Sequence, residues 1–323
     1  MWSTVQRIAG RFVPEWEHYE FSDFFDLAIR YIRYWWFAFR APSLVIAFVS
    51  CLAGVVLAFS DGHRDWLAGV VVVVSGLLLQ SGVNLVNDFF EYKQHNIDEK
   101  RPELHLSGLE REIIEWINFL TGMALFGMAG LVGLFFVVTR GDLLLLALGI
   151  VGFAGGFFYT GEPFNYKRRG LAVVLVFFLM GVMMIAGSYL AVAGAITLRV
   201  IWISVPISLL VSHILLINEL RDYESDVRHG LRTLTVRIGF KAGVRLYYAL
   251  AAGAYLATAV LAILGLIPLP SLILTILALV FLVKPTSKLT ASPEERRPAV
   301  PLIMLHHLAF GLLFLAAFTR VVV

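Results

Sequence analysis

Long apolar stretches, broken by short polar segments, recur along most of the chain. They fall at about 41–59, 66–87, 115–138, 142–160, 171–194, 200–218, 242–264, 269–283 and 300–319. Most have the roughly 17–25 residues that a helix needs to cross the hydrocarbon core of a bilayer. The eighth is short and bounded by Pro268, Pro270 and Pro285. Ahead of them, residues 21–36 follow a helical period: Asp23, Asp26, Arg30 and Arg33 on one face, Phe24, Phe25, Ala28, Ile32 and Trp35 on the other, with Ser22 placed to cap the start. Such a helix lies along a membrane surface, anchored by its aromatic side chains. The pattern predicts an all-α, polytopic membrane bundle of about nine helices over 37–323. It is preceded by a segment, 1–36, that ends in an interfacial helix.

Composition agrees. Of 323 residues, 59% are hydrophobic and 15% charged, which excludes an ordinary soluble domain. Met1–Glu20 has no continuous apolar core, so the first span is expected to serve in targeting. The single cysteine, Cys51, lies inside the first span and reads as a small packing residue.

Charge sets an expected orientation. Of the 26 Lys and Arg, all but Arg64, Arg140, Arg199 and Arg320 fall before the first span or in alternate loops. By the positive-inside rule the N-terminus and those loops are cytoplasmic, in a multi-pass protein of the cell membrane, and nine spans put the C-terminus outside. The net charge of +3 is therefore topological and gives no reason to invoke nucleic acid.

Against this apolar background two acidic clusters stand out, NLVNDFFE (84–91) and NELRDYESD (218–226). Each closes an apolar stretch on the expected cytoplasmic side. Carboxylates at a bilayer edge are costly unless neutralised, so they are functional candidates. On a helix Asn84, Asp88 and Glu91 share a face, as do Asn218, Asp222 and Asp226. Oxygen ligands of this kind suit Mg²⁺ bridged to a phosphorylated substrate. The repeated Asn-x-x-x-Asp, at the ends of the second and sixth spans, fits two related four-helix halves plus a ninth helix. Arg101, Lys167, Arg168, Arg169, Arg221, Arg228 and Arg232 occupy the same loops, where cations can stabilise a departing diphosphate. Phe89, Phe90, Tyr92, Tyr159, Tyr166 and Tyr223 crowd the same level, where ring faces can stabilise an allylic cation. His213, His306 and His307 fall in or near the spans and read as packing or helix-to-helix hydrogen-bonding residues.

At these residues the chain resembles the UbiA-type intramembrane prenyltransferases, and among them the 1,4-dihydroxy-2-naphthoate polyprenyltransferases. NLVNDFFEYK (84–93) is similar to that family's first aspartate motif, YTGEPFNYKRRGL (159–171) to its Tyr-Thr-Gly-x-Pro segment, and NELRDYESDVRHGLRTLTVRIG (218–239) to its second motif. The resemblance runs from about Arg40 to Gly239. It implies a helical bundle around a central cavity that opens laterally to lipid. It also implies Mg²⁺ held by Asn84, Asp88 and Glu91 and by Asp222 and Asp226. Lys167 and Arg232 would contact diphosphate, with Asn87, Asn218, Arg101 and Arg221 as further substrate contacts, and Tyr159 would face the allylic carbon. Glu91 stands where the family usually has Asp, Asp98 follows His95-Asn96-Ile97 in place of a Gly-x-Asp ending, Val173 lies near a usual Glu, and Leu231 replaces a Lys.

The expected activity is Mg²⁺-dependent transfer of a polyprenyl group from an isoprenyl diphosphate, within membrane lipid, to a small acceptor, most plainly an aromatic quinone precursor. A phenolic acid, a glycerol-phosphate lipid or a sugar phosphate as acceptor stays open, as does a lipid-binding or transport protein on the same architecture. The Asp-Gly-x-x-Ala-Arg string of CDP-alcohol phosphotransferases is absent, since Asp61-Gly62 continues His63-Arg64.

Overall fold

The structure is a computed structural model and describes residues 21–95 and 109–318. Every regular element among the described residues is helical, as expected. In chain order these are α1 (Phe21–Ala38), α2 (Leu44–Ser60), α3 (Trp66–His95), α4 (Arg111–Arg140), α5 (Leu143–Phe157), α6 (Ala172–Ala193), α7 (Leu198–Arg228), the short α8 (Leu234–Ile238), α9 (Phe240–Ile263), α10 (Leu269–Ser287), the single turn α11 (Pro293–Arg296) and α12 (Ala299–Ala316). Among the described residues eight helical segments are long and apolar enough to cross a membrane, and α5, with 15 residues, is shorter.

Boundaries differ from the apolar runs in an informative way. Helices α3 and α7 do not stop where hydrophobicity stops. They run on as 30- and 31-residue helices and carry both acidic clusters as helical ridges. The stretch 142–160 is shorter as a helix because the chain turns after Phe157, where the Phe158 amide closes on Ala154 O. Asp142 starts α5 by accepting from the Leu144 and Leu145 amides at 2.8 and 3.2 Å. In α10, Pro268 and Pro270 sit at the N-terminus, where a missing amide costs nothing, and a 3₁₀ turn at Leu277–Leu279 absorbs the irregularity within the helix.

Lipid tails are as apolar as leucine, so contact between spans depends on close packing and on polar contacts. Helix α2 meets α6 at Gly54, where a Cβ would lie 2.4 Å from Ile185 O. Gly82 of α3 and Gly122 of α4 approach in the same manner, and Cys51 Sγ fills the space left by Gly76, the packing role expected of it. On the side away from the acidic clusters, Arg199 pairs with Asp61 at 2.6 Å and Arg140 with Asp65 at 3.7 Å, so two of the four segregated arginines are neutralised. His306 bonds Tyr255 Oη at 2.8 Å, whereas His213 and His307 are fully packed without hydrogen bonds.

Helix α1 is present as its period predicts, with Phe25, Ile32 and Trp36 exposed on the bundle's outside. Its tie to the bundle is Tyr34, a residue outside the predicted apolar face. Tyr34 is fully buried against Leu85 and Ile114 and donates to Asn118 Oδ1 at 2.7 Å.

Candidate active site

Helices α3 and α7 face one another across a cavity of about 550 Å³. At one end its wall is polar: Asn84, Asn87, Asp88 and Glu91 from α3, and Asn218, Glu219, Arg221, Asp222 and Asp226 from α7. Deeper in, Val83, Leu179, Met180, Met184 and Ile214 make it apolar. A π-helical segment within α6, Phe177–Met183, brings Leu179 and Met180 to this wall, and its Gly181 seats against Ser208 of α7.

The 158–171 connection supplies Tyr159 and Lys167. It folds back on itself through Tyr166 N to Phe158 O (3.2 Å) and Lys167 N to Tyr159 O (3.1 Å), which places those two side chains together. Lys167 Nζ lies 5.7 Å from the Tyr159 ring centroid, and the Tyr159 and Tyr166 rings meet edge-on at 5.3 Å. Gly170 ends the loop at φ +73°, a left-handed conformation that favours glycine, beside the Arg237 side chain.

Three carboxylates of the cavity each carry a cation. Asp88 is ion-paired with Arg40, Glu91 with Lys167, and Asp222 with its neighbour Arg221 through two 2.8 Å hydrogen bonds. Asp226 is buried and accepts from Thr233 Oγ1 at 3.3 Å. Burial works against the charge of Lys167, but Glu91 and Tyr159 outweigh it and raise its pKa above the ordinary lysine value.

Most of the residues singled out in the sequence therefore meet in one place. Asn84 is there, but its amide is engaged: Nδ2 donates to Phe39 O at 2.8 Å and Ser43 Oγ at 3.0 Å, while Oδ1 accepts from Gln80. Asn87 Oδ1 accepts from Thr160 at 2.9 Å, tying α3 to the Tyr159 loop. Arg232 is exposed and does not form part of the cavity wall, and Arg101 and Asp98 lie outside the described residues. Sequence reasoning missed Arg40, Glu219 and Arg297, all of which line the cavity. It also missed Arg296, which is buried, donates to Leu220 O at 2.5 Å and pairs with Glu224, fastening the α11 turn to α7.

Among the described residues no three His, Cys, Asp or Glu side chains form a metal cluster on their own. The donor chemistry nevertheless fits Mg²⁺. That ion is held by one or two carboxylates, waters and substrate oxygens, and it does not need a cage made wholly of protein. Carboxylates on both walls, balanced now by Arg40, Lys167 and Arg221, offer that arrangement.

A polytopic helical bundle with a cavity that joins a charged end to an apolar interior is a membrane protein whose cavity suits a molecule with an anionic head and a hydrocarbon tail. The chain belongs to the UbiA prenyltransferase family, whose sequence pattern matches residues 47–318, and it is a prenyltransferase. It is 30% identical over 222 residues to the 1,4-dihydroxy-2-naphthoate octaprenyltransferase of Bacillus subtilis, covering 68% of this chain and 71% of that one. The Escherichia coli enzyme of the same name is 29% identical over 230 residues, covering 67% and 71%. Among solved structures, the apo UbiA homolog of Aeropyrum pernix aligns with a TM-score of 0.64 at 16% identity, over 87% of this chain and 98% of that one. A UbiA homolog from Archaeoglobus fulgidus bound to GPP and Mg²⁺ aligns at 0.58 and 15%, over 90% and 99%. The lipid-binding or transport alternative is thereby set aside.

Proposed function

We propose that this chain transfers a polyprenyl group from an isoprenyl diphosphate to 1,4-dihydroxy-2-naphthoate or a close aromatic relative, with Mg²⁺, at the cytoplasmic face of the cell membrane. The observation that carries this reading is the facing of Asp88 and Glu91 on α3 by Asp222 and Asp226 on α7 across one cavity. The names of the similar naphthoate enzymes support the acceptor, and the orientation follows from the segregation of Lys and Arg.

Asp88, Glu91, Asp222 and Asp226, with Asn84 orienting the first of these walls, would hold the metal. Bound there, Mg²⁺ supplies charge neutralisation for the diphosphate. Lys167 and Arg221 place further positive charge where the leaving group develops its own, and Asn87 and Asn218 add hydrogen-bonding contacts. In the sequence, Arg101 and Arg232 lie in the loops that follow the two acidic clusters. The allylic C–O bond breaks with its electron pair passing to diphosphate, and the Tyr159 ring faces the carbon left electron-poor. A ring carbon of the acceptor then forms the new C–C bond and loses its carboxyl group as CO₂, or a proton where no carboxyl is present. The prenyl tail lies along Val83, Leu179, Met180 and Met184.

The test is to incubate purified protein with geranylgeranyl diphosphate, Mg²⁺ and 1,4-dihydroxy-2-naphthoate, with a hydroxybenzoate and a glycerol phosphate as parallel acceptors. Diphosphate release and prenylated naphthoate are expected from the wild type, and loss of both from Asp222→Ala or on chelation of Mg²⁺. Equal background release from wild type and Asp222→Ala with every acceptor overturns the reading.

A further inference from the structure

Glu219 is the carboxylate of the cavity wall that the chemistry above leaves unused. It is 4% exposed. Its Oε2 accepts the Thr235 amide at 2.9 Å, at the start of α8, and Thr235 Oγ1 approaches Glu219 O at 3.4 Å. Its other oxygen, Oε1, is buried and has no hydrogen-bond partner. Asp88, Glu91 and Asp222 each pair with a basic side chain, whereas Glu219 Oε1 is left with its full acceptor capacity. Buried polar atoms in folded proteins are nearly always satisfied, and a carboxylate oxygen without a donor is an expensive exception.

Position narrows what could satisfy it. Glu219 shares a face of α7 with Asp222 and Asp226 and lies three residues deeper than Asp222, about 4.5 Å along the helix. If the diphosphate sits at the level of Asp222, the allylic carbon and the ring that attacks it sit about one turn below. Glu219 lines the same cavity as Tyr159 and Lys167 and interacts electrostatically with both. A diphosphate has no hydrogen to donate and is repelled by a carboxylate. A hydroxylated ring has one.

We propose that Glu219 Oε1 accepts a hydrogen bond from a ring hydroxyl of the acceptor, orienting it toward the allylic carbon and selecting hydroxylated aromatics. This rests on the prenyl-transfer reading above. Glu219 is a specificity-determining residue for the acceptor, distinct from the carboxylates at the diphosphate.

Glu219→Gln isolates this role. Gln has a single side-chain oxygen, and the Thr235 amide requires it, so the NH₂ takes the place of Oε1 and turns an acceptor into a donor while the tie to α8 is kept. With geranylgeranyl diphosphate and 1,4-dihydroxy-2-naphthoate, kcat/KM for the naphthoate is expected to fall about 10- to 100-fold, the range for a hydrogen bond to a charged group. KM for the diphosphate and the Mg²⁺ dependence should stay within about threefold of wild type. A matching rise in diphosphate KM or Mg²⁺ requirement would make Glu219 a metal ligand and overturn the proposal. Unchanged naphthoate kinetics would make it only the cap of α8, with the same consequence. A second measurement needs no variant: wild type should discriminate by a similar factor against at least one monomethyl ether of the naphthoate, and equal use of both ethers and the parent would also overturn it. A wild type that transfers no prenyl group at all counts against the proposed function, whereas an active wild type matched by Glu219→Gln counts against this inference alone.

Discussion

Arg40 and Asp88 lie 48 residues apart in the sequence and form an ion pair at the mouth of the cavity. The guanidinium arrives there because the chain leaves α1 through a left-handed residue, Arg40 itself, at φ 50° and ψ 51°. A non-glycine residue in that region costs of order 1 kcal/mol and persists where surrounding contacts hold it. Here they include Phe39 O and Ser43, both bonded by Asn84. The side chain of Asp88 is 2% exposed, and the Arg40 guanidinium is paired with it.

Arg40→Gln should therefore lower stability in detergent by about 1–2 kcal/mol, discounted because Arg40 itself is half exposed. Millimolar Mg²⁺ should narrow the gap in Tm, since a metal at Asp88 replaces the missing positive charge. Thermal melts of both proteins with and without Mg²⁺ read this directly, and an unchanged gap would argue that metal does not reach Asp88.

The raised pKa of Lys167 has a definite sign. A lysine held above its ordinary value of 10.5 contributes stability that is fully present below that value and is lost only as the pH climbs past the raised one. The difference in Tm between wild type and Lys167→Gln should stay constant from about pH 7 to about pH 10. A difference that shrinks across that interval would show the ammonium deprotonating early.

Arg221 and Arg232 should separate kinetically. Arg221 lines the cavity, but Arg232 holds the fold through its backbone carbonyl, which accepts from Arg237 Nε at 2.9 Å. Arg221→Ala is expected to raise the KM for geranylgeranyl diphosphate about tenfold or more, whereas Arg232→Ala should leave it within about threefold. Equal effects would mean that the loop carrying Arg232 closes inward when substrate binds.

Gly54 offers a test of packing rather than chemistry. A methyl group there meets Ile185 O at 2.4 Å and Tyr189 N at 2.7 Å, backbone atoms that cannot move without separating α2 from α6. Gly54→Ala should cost about 2–3 kcal/mol, seen as a loss of folded protein in detergent. Gly127→Ala, whose Cβ meets nothing within 4 Å, is the control and should behave as wild type.

The spans and both acidic ridges could be read from sequence because they depend on local rules: apolar length for one, helical spacing for the other. Asp88 and Asp222 were legible for that reason. Arg40 was not, because only the turn at the end of α1 brings it to α3. Arg297 was hidden among positive-inside charges, and nothing local separates it from Arg232, which stays outside the cavity. Glu219 was visible as one acid among several in the second cluster, but its distinction lies in which oxygen finds a partner. Asn84 shows the reverse limit: its spacing matches a ligand, and the fold uses its amide to hold the α1–α2 connection in place.

The brevity of α5 bears on the lipid around the protein. Fifteen residues reach about 22 Å, against a hydrocarbon core of about 30 Å. This helix has no buried residue, and through Gly152 and Gly156 it also forms part of the cavity wall. A helix this short meets the bilayer by thinning it, by flanking residues reaching to the interface, or by association with a neighbour. Helix α5 thus stands beside the cavity, where any thinning it causes would bring the headgroup level closer to the chamber.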